Sequence, residues 1–243
     1  YSALVRLNKQ KKQWQKVIQY SSLIIQHPDY QMELNLDNVF LKNSSSVIWS
    51  LLPTNGTSNT FDGNMFIIKT APPKKVALRD EFIEGFEAGD ERKIKWIGVI
   101  QDQQKRNYYY PNKYKQSTTT TSSMEYTIVM RVEDVILSRA EAYAEIGDFD
   151  KGLVDLNAIR QKAKLPSLSL FNRDQIRKAL LKERKYEFFT EQGFRFFDLK
   201  QFDEINLEML KIKPLWKSVY ALLPIPDQEL QLNPKLEPQN EGY

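Results

Sequence analysis

Apolar residues recur at helical spacing near both ends of one long irregular stretch. Trp14, Val17, Ile18 and Ile25 share a face, and with the residues before them they predict two helices over 2–26 around the polar turn Lys9 to Lys12. Val132, Val135, Ile136, Tyr143 and Ile146 define a second such pair over 132–163. Superposing Trp14 on Phe149 brings Lys16 onto Lys151, Ile18 onto Leu153 and Ile24 onto Ile159. Two copies of a tetratricopeptide-like hairpin are expected, each burying its apolar face by stacking on a neighbour.

A further helix is predicted from Asn172, an N-cap with Gln175 three residues on, Phe171 and Ile176 at staple spacing, and Gly193 as the stop. Its apolar stripe is interrupted by charge: Ile176 and Leu180 are followed on the same line by Glu183, Glu187 and Glu191. The preceding helices also carry polar groups on their packing faces, Arg139 on one and Asn157 with Arg160 on the other. These three groups, joined by Arg131 or Arg195, are expected to satisfy the carboxylates across the helix seams.

Between the hairpins, residues 28–125 are too long for a connection and should carry structure or function of their own. Val47 to Leu52 reads as a buried strand closed by Pro53, Thr54 to Gly63 as loop, Asp80 to Ala88 as a short helix, and Ser117 to Ser123 as a Ser/Thr spacer. After Gly193, the aromatic run Phe194 to Phe202 should dock on the helices. From Leu222 onward Pro224, Pro226, Pro234 and Pro238 predict an extended tail wrapped on the domain.

Composition narrows the chemistry. The 243 residues carry no cysteine, which removes disulfides, thiolate nucleophiles and cysteine-held metal clusters. The single histidine, His27, stands before Pro28 at a helix end and offers no metal or catalytic set; no cofactor or metal is expected. A net charge of +4 is interleaved along the chain, a solvated surface and not a nucleic-acid footprint. No apolar stretch reaches membrane-spanning length, and the start at Tyr1 without a signal-peptide pattern suggests a processed or truncated chain.

Several motifs resemble the SusD/RagB-like outer-membrane lipoproteins of glycan-utilisation systems in Bacteroidetes. They are Arg131-x-Glu133 with Leu137-x-Arg139-Ala140-Glu141-Ala142; Asn157-x-x-Arg160 running to Lys162-Ala163; and Glu183-Arg184-x-x-Glu187-Phe188 followed by Glu191-x-Gly193-x-Arg195-x-Phe197-Asp198-Leu199. The ending Leu223-Pro224-Ile225-Pro226, Glu229, Asn233-Pro234 and Gln239-Asn240-x-Gly242-Tyr243 also fits, with Glu241 where proline is usual, as does Asp90-x-Arg92 upstream. Ser46 departs from the glutamate frequent there. The order and spacing resemble the C-terminal portion of a member, over 1–243 as a single mainly α domain.

The resemblance implies a non-catalytic, surface-exposed outer-membrane lipoprotein, anchored through a lipid upstream of this chain. It would bind an oligosaccharide or polysaccharide and deliver it to a SusC-like TonB-dependent transporter. Together with the polar packing faces above, these motifs are expected to form a structural polar network of Arg139, Asn157, Arg160, Glu183, Arg184, Glu187, Glu191, Arg195 and Asp198.

Sugars are held by aromatic faces and by amides or carboxylates on loops. The candidates are Trp49, Trp96, Tyr108, Tyr109, Tyr110 and Tyr114, with Asn55, Asn59 and Asp62 as polar contacts. Trp96 and the loop from Asn55 to Asp62 rank first, since Trp49 lies in a run that reads as core and alternating tyrosines are commonly half-buried structure. Trp96→Ala is accordingly expected to weaken glycan binding with little change in melting temperature. Two other functions compete: a helical-repeat module or relative that binds peptides, and a glycosidase using Glu183 and Glu187. The second is weaker, because one stripe packed between helices leaves no cleft.

Overall fold

The computed structural model describes residues 1–170 and 172–243, so the proposed staple at Phe171 lies outside the described residues. The chain divides into two compact units, 1–192 and 193–243.

The first unit is built on helical hairpins. Helices α1 (Ser2–Gln10) and α2 (Trp14–Ile25) form one, and α6 (Val132–Glu145) and α7 (Phe149–Lys162) the other. The sequence superposition that equates Trp14 with Phe149 also equates Lys12 with Gly147, and both adopt positive φ, 54° and 85°. The next residues, Gln13 and Asp148, have identical φ and ψ of −87° and 69°. The two hairpins therefore turn in the same way, one on a glycine and one on a lysine that tolerates the left-handed region.

Helix α6 is central, with 11 of its 14 residues buried, and it packs against α1, α2, α7 and α8 (Arg173–Glu187). Val5, Val17, Ile24, Val135 and Ala142 form the core between the hairpins. Asn172 caps α8 by accepting a hydrogen bond from the Gln175 N–H at 2.9 Å. The helix ends at Glu187, earlier than expected, and Thr190 and Gln192 turn through positive φ before Gly193. Glu191 thus reaches its partners from a turn and not from the helix stripe.

The long insertion contributes short elements and a second core. Strand β1 (Val47–Leu51) pairs antiparallel with β4 (Thr127–Arg131), which leads directly into α6. Strands β2 (Ile97–Gln101) and β3 (Asn107–Pro111) form a hairpin, with Leu78 bridged to Tyr109. Three short helices, α3 (Phe61–Phe66), α4 (Asp80–Glu84) and α5 (Glu91–Lys95), connect them. Leu36, Val39, Phe40, Phe86, Trp96, Tyr114, Ile128, Tyr186 and Phe189 close this core. Strand β1 is not the buried strand expected from its composition: Trp49 and Leu51 are each 51% exposed, because a two-stranded ribbon covers only one face.

The second unit holds α9 (Phe194–Gln201), α10 (Ile205–Ile212) and α11 (Asp227–Leu232). Its proline-rich end is extended only in part. Pro226 caps α11 and Pro234 opens a single 3₁₀ turn, both positions where the missing N–H costs nothing. The terminal motif pairs with itself. The Gln239 amide bonds both backbone groups of Ile225 at 2.8 Å, and Asn240 Nδ2 donates to Leu223 O at 2.7 Å. Tyr243 OH donates to Leu222 O at 3.1 Å. Gly242 sits at φ 98°, where a Cβ would also lie 2.6 Å from Val219.

Candidate functional site

The charged stripe that dominates the sequence is closed within the first unit. Arg92 holds both oxygens of Asp90, at 2.9 and 2.8 Å, and donates through Nη1 to Glu183 at 2.6 Å and Glu187 at 3.2 Å. Arg131 donates to Glu187 at 2.6 Å and grips Glu191 bidentately at 2.8 and 2.9 Å. Lys162 bridges Glu133 and Glu187 at 2.7 and 2.8 Å, and Arg160 joins Glu183 at 3.3 Å to Glu87 at 3.0 Å. Lys113 donates to Glu191, to Glu187 O and to Phe189 O, with its ammonium 4.0 Å from the Phe189 ring centroid. Ser46 donates to Glu133 at 2.9 Å.

Electrostatics follow from this geometry. Burial alone would raise the Glu187 carboxyl, but the charges of Lys162, Arg131 and Arg92 outweigh it and hold the group well below the usual range. Glu183 is raised, burial there prevailing over Arg92 and Arg160. Burial pulls Lys113 down to about 8 against the opposing pull of Glu191. Glu183 and Glu187 are buried, and their carboxylates are engaged by Arg92, Arg131, Arg160 and Lys162.

The expected partners are correct only in part. Arg160 and Arg131 reach the carboxylates. Arg139 instead pairs with Asp155 on the facing helix α7, at 2.7 and 2.8 Å. Asn157 clips the backbone of Leu168, donating at 3.0 Å and accepting at 2.8 Å. Arg184 turns the other way, to Asp134 at 3.1 Å. In the second unit Arg195 pairs with Glu208 at 3.0 Å, and Asp198 is buried on α9. Arg92, Lys113 and Lys162 were missed. Asp90-x-Arg92 and Lys162-Ala163 already stood among the matched motifs, and they signalled two of the three.

The ligand candidates separate into core and surface. Trp96, ranked first from sequence, is a core residue: it is 0% exposed and its Nε1 donates to Leu36 O at 2.9 Å. Tyr114 is buried too, its OH accepting from the Ile128 N–H at 2.9 Å. Both close the aromatic cluster around Phe40, which explains why aromatic composition alone placed them wrongly. Tyr108, Tyr109 and Tyr110 are half-buried on β3. Tyr108 donates to Asp102 at 3.0 Å, and the Tyr110 ring lies where a Cβ on Gly98 would be, 2.2 Å from it.

Of the aromatic candidates, Trp49 is the exposed one. It stands in the middle of β1, opposite Met130, and the strand leads into the loop that carries Asn55 and Asn59. That loop and the segment 115–125 are tied together. Thr120 N–H donates to Thr57 O at 2.9 Å, Ser123 N–H to Gly56 O at 2.7 Å, and Asn64 Nδ2 to Ser117 O at 3.1 Å. Asn55 Oδ1 accepts from the backbone and hydroxyls of Thr57 and Ser58, an Asx-type turn. Asp62 lies at the start of α3, beside a space of about 10 Å³, room for one water, lined also by Lys113, Tyr114, Thr190 and Glu191. Burial raises the Asp62 carboxyl, and Glu191 adds to the effect. The region offers an exposed indole face on β1 and, in the tied loops that follow it, hydroxyls and backbone amides, groups suited to a polyhydroxylated ligand.

Among the described residues no group of three or more His, Cys, Asp or Glu could hold a metal ion, and no helix is long and apolar enough to cross a membrane. Residues 98–214 match the family described as the SusD family. No curated protein matches the chain. A SusD superfamily protein from Bacteroides vulgatus aligns with a TM-score of 0.79 and 21% identity, over 100% of this chain and 62% of its own. Surface glycan-binding protein A from Bacteroides thetaiotaomicron aligns with a TM-score of 0.74 and 17% identity, over 98% and 61%. The same protein in complex with laminarihexaose aligns with a TM-score of 0.72, over the same shares. The chain thus spans about three fifths of the length of these structures. The mainly helical fold and the SusD/RagB resemblance are borne out.

Proposed function

We propose that this chain, SusD-like in fold throughout and matched to the SusD family over residues 98–214, is the C-terminal portion of a non-catalytic glycan-binding protein. It captures an oligosaccharide or polysaccharide at the cell surface and passes it to a TonB-dependent outer-membrane transporter. A lipid anchor upstream of this chain holds it there. The ligand region is the insertion 28–125, at the end of the β1–β4 ribbon. The observation that carries this reading is Trp49, 51% exposed on the strand that leads into the paired hydroxyl-rich loops, while the buried carboxylates are neutralised within the scaffold.

Native affinity electrophoresis against laminarin, xyloglucan, amylopectin and galactomannan tests it. At least one should retard the protein, and Trp49→Ala should abolish most of that retardation, a loss of about tenfold or more in affinity, with melting temperature unchanged. Retardation that survives Trp49→Ala undiminished removes Trp49 from the site.

A peptide-binding reading has one observation in its favour, an open groove of about 510 Å³ along α7 lined by Leu153, Val154, Ala158, Asn157 and Gln161. Absence of retardation by all four polysaccharides, together with peptide binding lost on Val154→Glu, would favour it.

A further inference from the structure

Asn59 is a candidate sugar contact by its chemistry, yet its amide is already engaged on both sides. Nδ2 donates to Thr118 O at 3.0 Å and to Thr120 Oγ1 at 2.9 Å. Oδ1 accepts from the Met124 and Glu125 N–H groups at 2.8 and 3.2 Å. Both amide hydrogens and both oxygen lone pairs are therefore committed to one loop, across 59 to 66 residues of sequence. Glu125 closes that loop from the other side, its buried carboxylate accepting from the Lys115 and Gln116 N–H groups at 2.6 and 3.1 Å. Beneath them Gly63 meets Gln116 O so closely that a Cβ would stand 2.2 Å from it.

We infer that Asn59 is a positioning residue: it fastens the 54–60 and 115–125 loops into one body, and the ligand is read by the exposed backbone and hydroxyl layer over it and not by the Asn59 amide. This inference rests on the glycan-binding reading above and names what makes that surface rigid. Loops of serine, threonine and glycine are otherwise among the most mobile, and ordering them on binding would weaken affinity. With Asn59 in place that ordering is complete before the ligand arrives. The hydroxyls of Ser58 and Thr57, held by Asn55 Oδ1, are then fixed in the loop that follows the Trp49 strand.

The test uses the whole chain and whichever of laminarin, xyloglucan, amylopectin or galactomannan retards the wild type. Asn59→Ala is expected to leave melting temperature within about 2 °C, to speed amide exchange at Thr120, Ser123, Met124 and Glu125, and to weaken retardation about tenfold. Asn59→Asp keeps the acceptor for Met124 and Glu125 but loses both donors, so exchange and affinity should fall between wild type and Asn59→Ala. If Asn59→Ala does not fold, the same two readouts on Asn59→Asp decide. Faster loop exchange with wild-type affinity overturns the inference and leaves the glycan reading intact. Affinity lost without any change in loop exchange also overturns it, because Asn59 would then touch the ligand directly. No retardation of the wild type by any of the four removes the glycan reading and this inference with it.

Discussion

Replacing Glu187 by glutamine changes almost no volume and removes one charge at the most connected point of the scaffold. The wild-type carboxylate stands 2.6 Å from Arg131, 2.8 Å from Lys162 and 3.2 Å from Arg92, and both it and its partners are almost wholly buried. Glutamine still offers one acceptor oxygen, but the cations lose their shared counter-charge, and its NH₂ points a donor at groups that are themselves donors. Breaking a buried ion pair by removing one partner costs about 3 to 5 kcal/mol. For a domain of this size that is a fall of roughly 10 °C in melting temperature. The pH dependence carries the sign. Glu187 is held below its unfolded value, so its contribution is present above pH of about 4.3 and is lost as pH falls through the folded value. The wild type should therefore lose more stability than Glu187→Gln between pH 6 and pH 3, followed by urea unfolding at each pH. Adding Lys162→Met to Glu187→Gln should recover part of the loss. A melting temperature within about 2 °C of wild type for Glu187→Gln, or equal acid sensitivity in both proteins, would refute the argument.

Trp96→Ala should cost about 3 to 5 kcal/mol by urea unfolding, because it empties the centre of the aromatic core and orphans Leu36 O; an undiminished transition midpoint would return Trp96 to the surface. Asp134 sits at about 2, since Arg184, Arg6 and Lys9 outweigh the burial that would raise it. Its contribution, about 2 kcal/mol, is therefore present above pH of about 4 and lost below it, and Asp134→Asn should be less stable than wild type at pH 7 and nearly equal at pH 2. Equal stability at both pH values would show that the ion pairs contribute nothing.

The scaffold could be read from sequence because its signals are periodic. Trp14 on Phe149 predicted a repeat whose turns, at Lys12 and Gly147, share their backbone sense. The partners of the carboxylates could be read less well. Helical spacing places Arg139 and Glu183 on packing faces but does not say which neighbouring helix each face meets, and Arg139 found Asp155 instead. Lys113 and Arg92 arrive from the irregular insertion, where no period exists to place them. Which ligand candidates are exposed could not be read for a related reason. Trp49 and Trp96 are both single tryptophans in or beside a short strand, and only tertiary packing decides that Trp49, on the two-stranded β1–β4 ribbon, is exposed while Trp96 is buried against Phe40 and Phe189. Asn59 has no local signal at all, because its partners lie about sixty residues away.

The buried network also bears on how the chain is made. Arg92 finds Glu183 and Glu187 across 91 and 95 residues, and Arg131 finds Glu187 across 56. During synthesis these guanidinium groups emerge long before the carboxylates that neutralise them. The aromatic core around Trp96, which includes Tyr186 and Phe189 from the same late segment, has no lid until then. Early hairpins can form as they appear, but the unit that holds the 54–60 and 115–125 loops closes only when Glu183 to Glu191 arrives. A ribosome stalled before that point would display an open, positively charged intermediate.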